Sequence, residues 1–220
     1  MSMEVGRRAR AEVIRSLVSS GGATPDVFRA ALADVPQGER DAWLDLVLGI
    51  DGLPGDRAEL PRGCAPYIPC SVSVLVQMIE RAQVWPSDVF VDIGSGLNRP
   101  GALTHLLTGA AAIGIEIQSE LVRASREIAT GLNASRLSVV EGDAARLVGF
   151  ISIGSVFFLY CPFTGARLTR VLDDLGLIAR TRPIRVCCVD MPSLSCSWLA
   201  SVSLPPGSLA VYRSTLHPVC

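Results

Sequence analysis

Three carboxylates and two glycines carry the strongest chemical signal in this chain. Val89-Phe90-Val91-Asp92-Ile93-Gly94-Ser95-Gly96 reads as a short apolar strand running into an acid and two close glycines. Glycine lets backbone approach a ligand where a Cβ would collide. A helix starting just beyond such a loop offers free N–H groups. Ala112-Ile113-Gly114-Ile115-Glu116 is a second apolar strand, and it ends in a carboxylate about 20 residues after the loop. A carboxylate accepts two hydrogen bonds at once, which suits the paired hydroxyls of a ribose. Asp143 follows a third strand and Tyr160-Cys161-Pro162-Phe163 follows a fourth. Taken singly, Asp143 could merely cap the next turn and Glu116 could be a solvated strand end. Four consecutive strand ends bearing such residues point to one binding site for a nucleoside-containing ligand.

The elements that must aim these residues can be read from periodicity and punctuation. Strands are expected at 88–93, 111–116, 137–141, 155–160 and 184–189, the last ending at Asp190. Between them lie helical patterns at about 100–108, 118–131 (stopped by Gly131) and beyond Thr164, which stands as a cap. Asn98 is a suitable cap and Pro100 a suitable first-turn residue for the first of these. Residues 198–204 and 209–215, joined through Pro205-Pro206-Gly207, read as a terminal hairpin. Alternating strands and helices give an α/β, doubly wound, mostly parallel seven-stranded sheet of Rossmann-like type with right-handed crossovers. The C-terminal hairpin should bring an antiparallel strand into that sheet. In such a sheet the ligand lies beyond the carboxyl ends of the strands, where the candidate residues cluster.

Ahead of the sheet, helical patterns occur at 3–20 (with Val5, Ile14, Leu17 and Val18), after Thr24-Pro25, and at about 38–49 around Trp43. A Gly- and Pro-rich stretch, 52–69, follows, then a helix at 71–82. We therefore divide the chain into an N-terminal helical extension, 1–66, and a ligand-binding domain, 67–220. The extension is too short for its own core and should pack on the main domain.

The 220 residues are 49% apolar with a formal net charge of −1, so no global basic field favours nucleic acid. No run is long and apolar enough for a membrane span, and no apolar stretch follows Arg7, Arg8 and Arg10 to make a signal peptide. Seven cysteines without CxxC spacing suggest free thiols in a cytoplasmic protein. Two histidines, His105 and His217, argue against a zinc site or a histidine-based triad.

Asp92-Ile-Gly-Ser-Gly96, Gly114-Ile-Glu116, Glu141-Gly-Asp143 and Phe158-Leu-Tyr-Cys-Pro-Phe163 together resemble the class I S-adenosylmethionine-dependent methyltransferases over about residues 67–215. Tyr67-Ile68-Pro69, ahead of the helix preceding the first strand, is similar to a Tyr-x-Pro motif in small bacterial relatives of the non-SET, histone H3 type protein-lysine methyltransferases. The resemblance implies S-adenosylmethionine as cofactor and S-adenosylhomocysteine as product. It implies that Gly94, Ser95 and Gly96 face the methionine part and that Asp92 contacts its amino group. Glu116 would bind the ribose, Asp143 and the Ala144 amide the adenine edge, and Ile117 and Ala144 the adenine faces. Tyr67 and Pro69 would form a lid, and Tyr160, Cys161, Pro162 and Phe163 the catalytic wall beside the methyl group. The family's third loop glycine is replaced by Asn98, which tolerates the left-handed conformation better than most residues.

Methyl transfer from a sulfonium is an in-line displacement, so the protein mainly aligns and desolvates the nucleophile. An apolar channel lined by Phe158, Tyr160 and Phe163 would lower the pKa of a lysine amine. The Asn/Asp-Pro-Pro-Tyr/Phe tetrapeptide of amide and adenine N-methyltransferases is absent, which disfavours those acceptors. The resemblance thus implies an enzyme acting on a protein lysine. A small-molecule methyltransferase, a non-catalytic protein that keeps the fold, and a nicotinamide-dependent oxidoreductase are the alternatives. The last lacks the full GxGxxG spacing because residue 99 is Arg.

Overall fold

The structure, a computed structural model, describes residues 2–52, 54–55, 60–203 and 209–215. Three helices open the chain: α1 (Ser2–Ser19), α2 (Pro25–Ala33) and α3 (Arg40–Leu48), the last entered through a 3-10 turn at Gln37–Glu39. Helix α4 (Val72–Ala82) leads into β1 (Val89–Ile93), α5 (Arg99–Thr108), β2 (Ala111–Glu116), α6 (Ser119–Gly131), β3 (Leu137–Glu141) and the short α7 (Ala144–Leu147). Then come β4 (Val156–Tyr160), α8 (Gly165–Ala179), β5 (Arg185–Val189), β6 (Leu199–Ser203) and β7 (Leu209–Ser214).

The seven strands form one sheet in the order β3-β2-β1-β4-β5-β7-β6. The first five are parallel, and β7 is inserted antiparallel between β5 and β6, as the hairpin pattern predicts. Order reverses at β1, with β2 on one side and β4 on the other. That switch point places the ends of β1, β2 and β4 around a shared crevice.

Strand alternation sorts the apolar side chains onto two faces. Phe90, Phe158, Cys187 and Val211 face one core, shared with α4, α5, α6 and the N-terminal helices. Val91, Ile93, Phe157, Leu159 and Val186 face the other, against Val171, Leu175 and Ile178 of α8. Phe90 and Phe158 on neighbouring strands stack with centroids 5.9 Å apart. The N-terminal helices have no separate core. Phe28 and Trp43 pack at 5.6 Å within the first cluster, and Arg29 donates to the Leu107 carbonyl at the end of α5.

Several expected boundaries and caps shift for local reasons. Ser71 caps α4, its hydroxyl accepting from the Val74 amide at 3.4 Å. Helix α5 begins at Arg99, not Pro100. Asn98 occupies its cap position in the left-handed region (φ 55°, ψ 34°), and its side chain makes no capping bond. Thr164 precedes α8 without a side-chain capping bond either. Gly131 stays within α6, and the left-handed turn falls on Asn133 (φ 51°). Strand β4 begins at Val156; just before it the Ser155 hydroxyl donates to Asp88 and accepts from the Val89 amide. The Pro205-Pro206-Gly207 turn, Leu204, His217, Cys220 and the side chain of Val5 lie outside the described residues. No helix among the described residues is long and apolar enough to cross a membrane.

Candidate functional site

The carboxyl ends of β1, β2, β3 and β4 surround a cleft of about 760 Å³, its open mouth included. Its floor is the loop after β1. The Gly94 and Ser95 amides both donate to the Ile115 carbonyl, at 2.9 and 3.0 Å, which ties the loop to β2. Gly94 (φ 77°) and Gly96 (φ 54°) lie in the left-handed region. The space that glycine keeps open there is used by the chain itself. A Cβ at Gly94 would stand 2.5 Å from Cβ of Pro162, and one at Gly96 would stand 2.1 Å from the ring of Tyr67. The close approach expected of a ligand is thus made, at these two points, by a wall residue and a lid residue.

Glu116 is buried and organises the loop. One carboxylate oxygen accepts from the Gly96 amide, the other from the Ile117 and Gln118 amides, each at 2.8 Å. Beside it, Asp92 is 2% exposed, and its Oδ2 has no hydrogen-bond partner among the described residues. Burial, and secondarily the charge of Glu116, pushes the Asp92 carboxyl well above the ordinary carboxylate range. A buried carboxylate oxygen without a donor is costly, and a cationic group placed against it would relieve that cost. The Ser95 hydroxyl is likewise buried without a partner among the described residues.

Asp143 plays the capping role and borders the cleft at once. Its Oδ1 accepts from the Ala145 amide at 3.1 Å, starting α7, and from Arg167 at 2.6 Å. Ile117 and Ala144 line the same end. Tyr160, Cys161, Pro162 and Phe163 line the opposite wall together with Phe158. Cys161 holds φ 40°, a left-handed conformation that a non-glycine residue adopts at a cost. Burial raises the Tyr160 hydroxyl's pKa, with Cys70 and Asp190 adding to it. Burial also pushes the Cys70 thiol up to about 12, so it stays protonated.

The segment 60–71 covers the cleft. Cys64 and Phe163 form an antiparallel bridge, with the Ala65 amide donating to the Pro162 carbonyl and the Thr164 amide to the Gly63 carbonyl, each at 3.1 Å. Tyr67 is the lid's central side chain, and burial raises its hydroxyl's pKa. Pro69 is half-buried and does not border the cleft. Gly96 lies beneath Tyr67, outside the cleft lining. Asn98 is drawn away from it, since its Nδ2 donates to the Ser138 carbonyl of β3 at 3.0 Å. The other sequence-derived residues come together around one space.

Two arginines have site roles that motif reading missed. Arg167 bridges Asp143 to the lid, its Nε donating to the Arg62 carbonyl at 3.0 Å. Arg99 is 2% exposed and sits at the first turn of α5, where the helix dipole disfavours a cation. That misplacement was the available signal: a cation there needs carboxylates, and Asp41 and Asp45 of α3 supply them at 3.0 and 2.7 Å.

No family model and no curated protein matches the chain. Solved structures do. An RNA methyltransferase from Salinibacter ruber, crystallised with S-adenosylhomocysteine, is 25% identical, covering 70% of this chain and 97% of its own, with a TM-score of 0.56. A precorrin-6y C5,15-methyltransferase from Geobacter metallireducens shares the fold at 13% identity, covering 70% of this chain and 93% of its own, with a TM-score of 0.52.

Proposed function

We propose that this chain is an S-adenosylmethionine-dependent methyltransferase. The observation that carries the reading is Asp92: a buried carboxylate oxygen without a donor, under the β1 loop, in a cleft whose next strand ends in Glu116. The fold is that of methyltransferase structures, one of which holds the demethylated cofactor. Asp92 would take the cofactor's ammonium group. Glu116 would hold the ribose edge while keeping its three amides, and Ile117 and Ala144 would flank the base near Asp143. The bound cofactor supplies an electrophilic methyl group on a sulfonium. The chain's own part is to orient the acceptor against the wall of Phe158, Tyr160, Cys161, Pro162 and Phe163 and to exclude water there.

For the acceptor we propose a protein lysine amine. Tyr67-Ile68-Pro69 and the apolar wall support this, because a desolvated amine loses its proton more readily. An RNA acceptor is the second reading, favoured by the 25% identical RNA methyltransferase. The net charge of −1 and the absence of a side-chain amide at Tyr160 speak against it. We take the division at residue 66 and a cytoplasmic location as part of the same reading.

Calorimetric titration with S-adenosylhomocysteine tests the cofactor. Micromolar binding is expected, and no binding to folded protein refutes the enzyme. Incubating a lysate with methyl-labelled cofactor then sorts the acceptor. Label in protein acid hydrolysates as methyl-lysine supports the first reading, and label confined to RNA or small molecules overturns it. The 220 residues contain no lysine, so no methyl-lysine in that assay can come from this chain.

A further inference from the structure

We propose that the N-terminal helices serve the cleft through Arg99, which acts as the positioning residue of a clasp holding segment 60–71 closed. This rests on the cofactor reading above. A guanidinium has five donors and no acceptor, so its burial demands a full set of oxygens. Arg99 finds them on two elements. Its Nε donates to Asp45 at 2.7 Å, and Nη2 donates to the carboxylate and the carbonyl of Asp41, both at 3.0 Å. Its Nη1 donates to the Cys70 carbonyl at 2.6 Å. The same Asp41 oxygen accepts from the Val72 amide at 2.9 Å. One network therefore joins α3, the start of α5 directly beyond the β1 loop, and the C-terminal end of the covering segment.

The other end of that segment is fixed independently. The Cys64–Phe163 bridge and the Arg167–Arg62 bond hold it to the β4 wall. Tyr67, between the two anchors, rests on Gly96. The segment is thus a strap fastened at both ends, and the fastening at Cys70 and Val72 depends on two aspartates of the N-terminal extension. Asp41 and Asp45 are 51% and 37% exposed while Arg99 is 2% exposed. Net stability is a poor explanation for such an arrangement, because burying a guanidinium carries a desolvation cost that attraction to two partly exposed carboxylates offsets only in part. Directional fixing of a carbonyl and an amide at the strap's hinge is something apolar packing cannot supply. Lysine cannot replace the forked set of bonds.

The test uses the full chain with Asp45→Asn, Asp45→Glu and Asp41→Asn. S-adenosylhomocysteine affinity is measured at a temperature where circular dichroism shows each variant fully folded, alongside hydrogen exchange of the Ala65 and Val72 amides. Asp45→Asn should weaken binding about tenfold, or about 1.4 kcal/mol, and speed exchange at Val72, which Asp45 does not itself touch, with exchange at the separately anchored Ala65 and in β1 and β2 unchanged. Asp45→Glu should recover part of the affinity. Asp41→Asn should speed exchange at Val72 and gives a second reading should Asp45→Asn fold poorly. A role in stability alone would lower Tm and leave affinity within twofold of wild type, and that result overturns the clasp. Absence of binding by the wild type would instead refute the cofactor reading. Exchange at Val72 then decides the clasp alone: faster in Asp45→Asn supports it, unchanged overturns it.

Discussion

Replacing Glu116 separates a residue that merely touches a ligand from one that also builds the site. Its carboxylate accepts three backbone N–H donors at 2.8 Å, Gly96 through one oxygen and Ile117 and Gln118 through the other. Hydrogen bonds to a charged group contribute about 1.5–3 kcal/mol each, and an amide left buried without a partner costs about 1–3 kcal/mol. In Glu116→Gln one oxygen becomes an NH2 group, which cannot accept. The less costly orientation keeps the bonds to Ile117 and Gln118 and turns the NH2 toward the Gly96 amide. One bond is lost, and the ligand-free protein should lose about 2 kcal/mol. For a chain of this size that lowers Tm by about 4–8 °C. In Glu116→Ala all three donors lose their acceptor, and the loss should reach about 3–5 kcal/mol, softened where water enters. Both variants should also bind S-adenosylhomocysteine at least tenfold more weakly. Thermal unfolding followed by circular dichroism, without ligand, is the deciding assay. A Glu116→Gln protein that melts within 1 °C of wild type would refute the loop-building role, whatever happened to affinity.

Other perturbations report on neighbouring parts of the site. Because burial raises the Asp92 carboxyl in the folded state, stability should fall as pH rises from the unfolded value of about 3.9 toward the folded one, and Asp92→Asn should remove that slope in pH-dependent melts. A bound ammonium favours the ionised form, so S-adenosylhomocysteine affinity should rise with pH over the same window in wild type and stay flat in Asp92→Asn. Gly96→Ala places a methyl group 2.1 Å from the Tyr67 ring at φ 54°, so it should cost about 2–4 kcal/mol. Adding Tyr67→Ala should return about 1–2 kcal/mol of that in a double-mutant cycle, and strict additivity would refute the packing of Tyr67 on Gly96. Asn98→Ala loses both the bond to the Ser138 carbonyl and tolerance of the left-handed turn, a cost of about 1–3 kcal/mol. Asn98→Gly keeps the turn and should melt higher than Asn98→Ala. The reverse order would sink that account.

What the sequence alone determined is local and periodic. Apolar runs of strand length, broken by helical patterns, specify a parallel sheet, because such strands are buried on both faces and need crossover helices. The special residues at the strand ends follow from the same logic: Asp92, Glu116, Asp143 and Tyr160 each sit where a strand stops, so their convergence is legible once the order of strands is assumed. Asn98 stands where the family resemblance has a glycine, and it tolerates the left-handed turn it takes, while the capping bond its residue type suggested is not made. Tertiary structure decided which neighbour each group meets. Nothing in the spacing says that Glu116 spends its oxygens on three amides, that Asp92 is left with an oxygen unmet, or that the space over Gly96 belongs to Tyr67. Those outcomes depend on contacts between segments far apart in the chain. Arg99 shows the limit most clearly. As a residue it breaks a glycine pattern and sits at the wrong end of a helix. Only packing α3 against the start of α5 brings Asp41 and Asp45 to its guanidinium, because a buried cation is tolerated only where the fold delivers its oxygens.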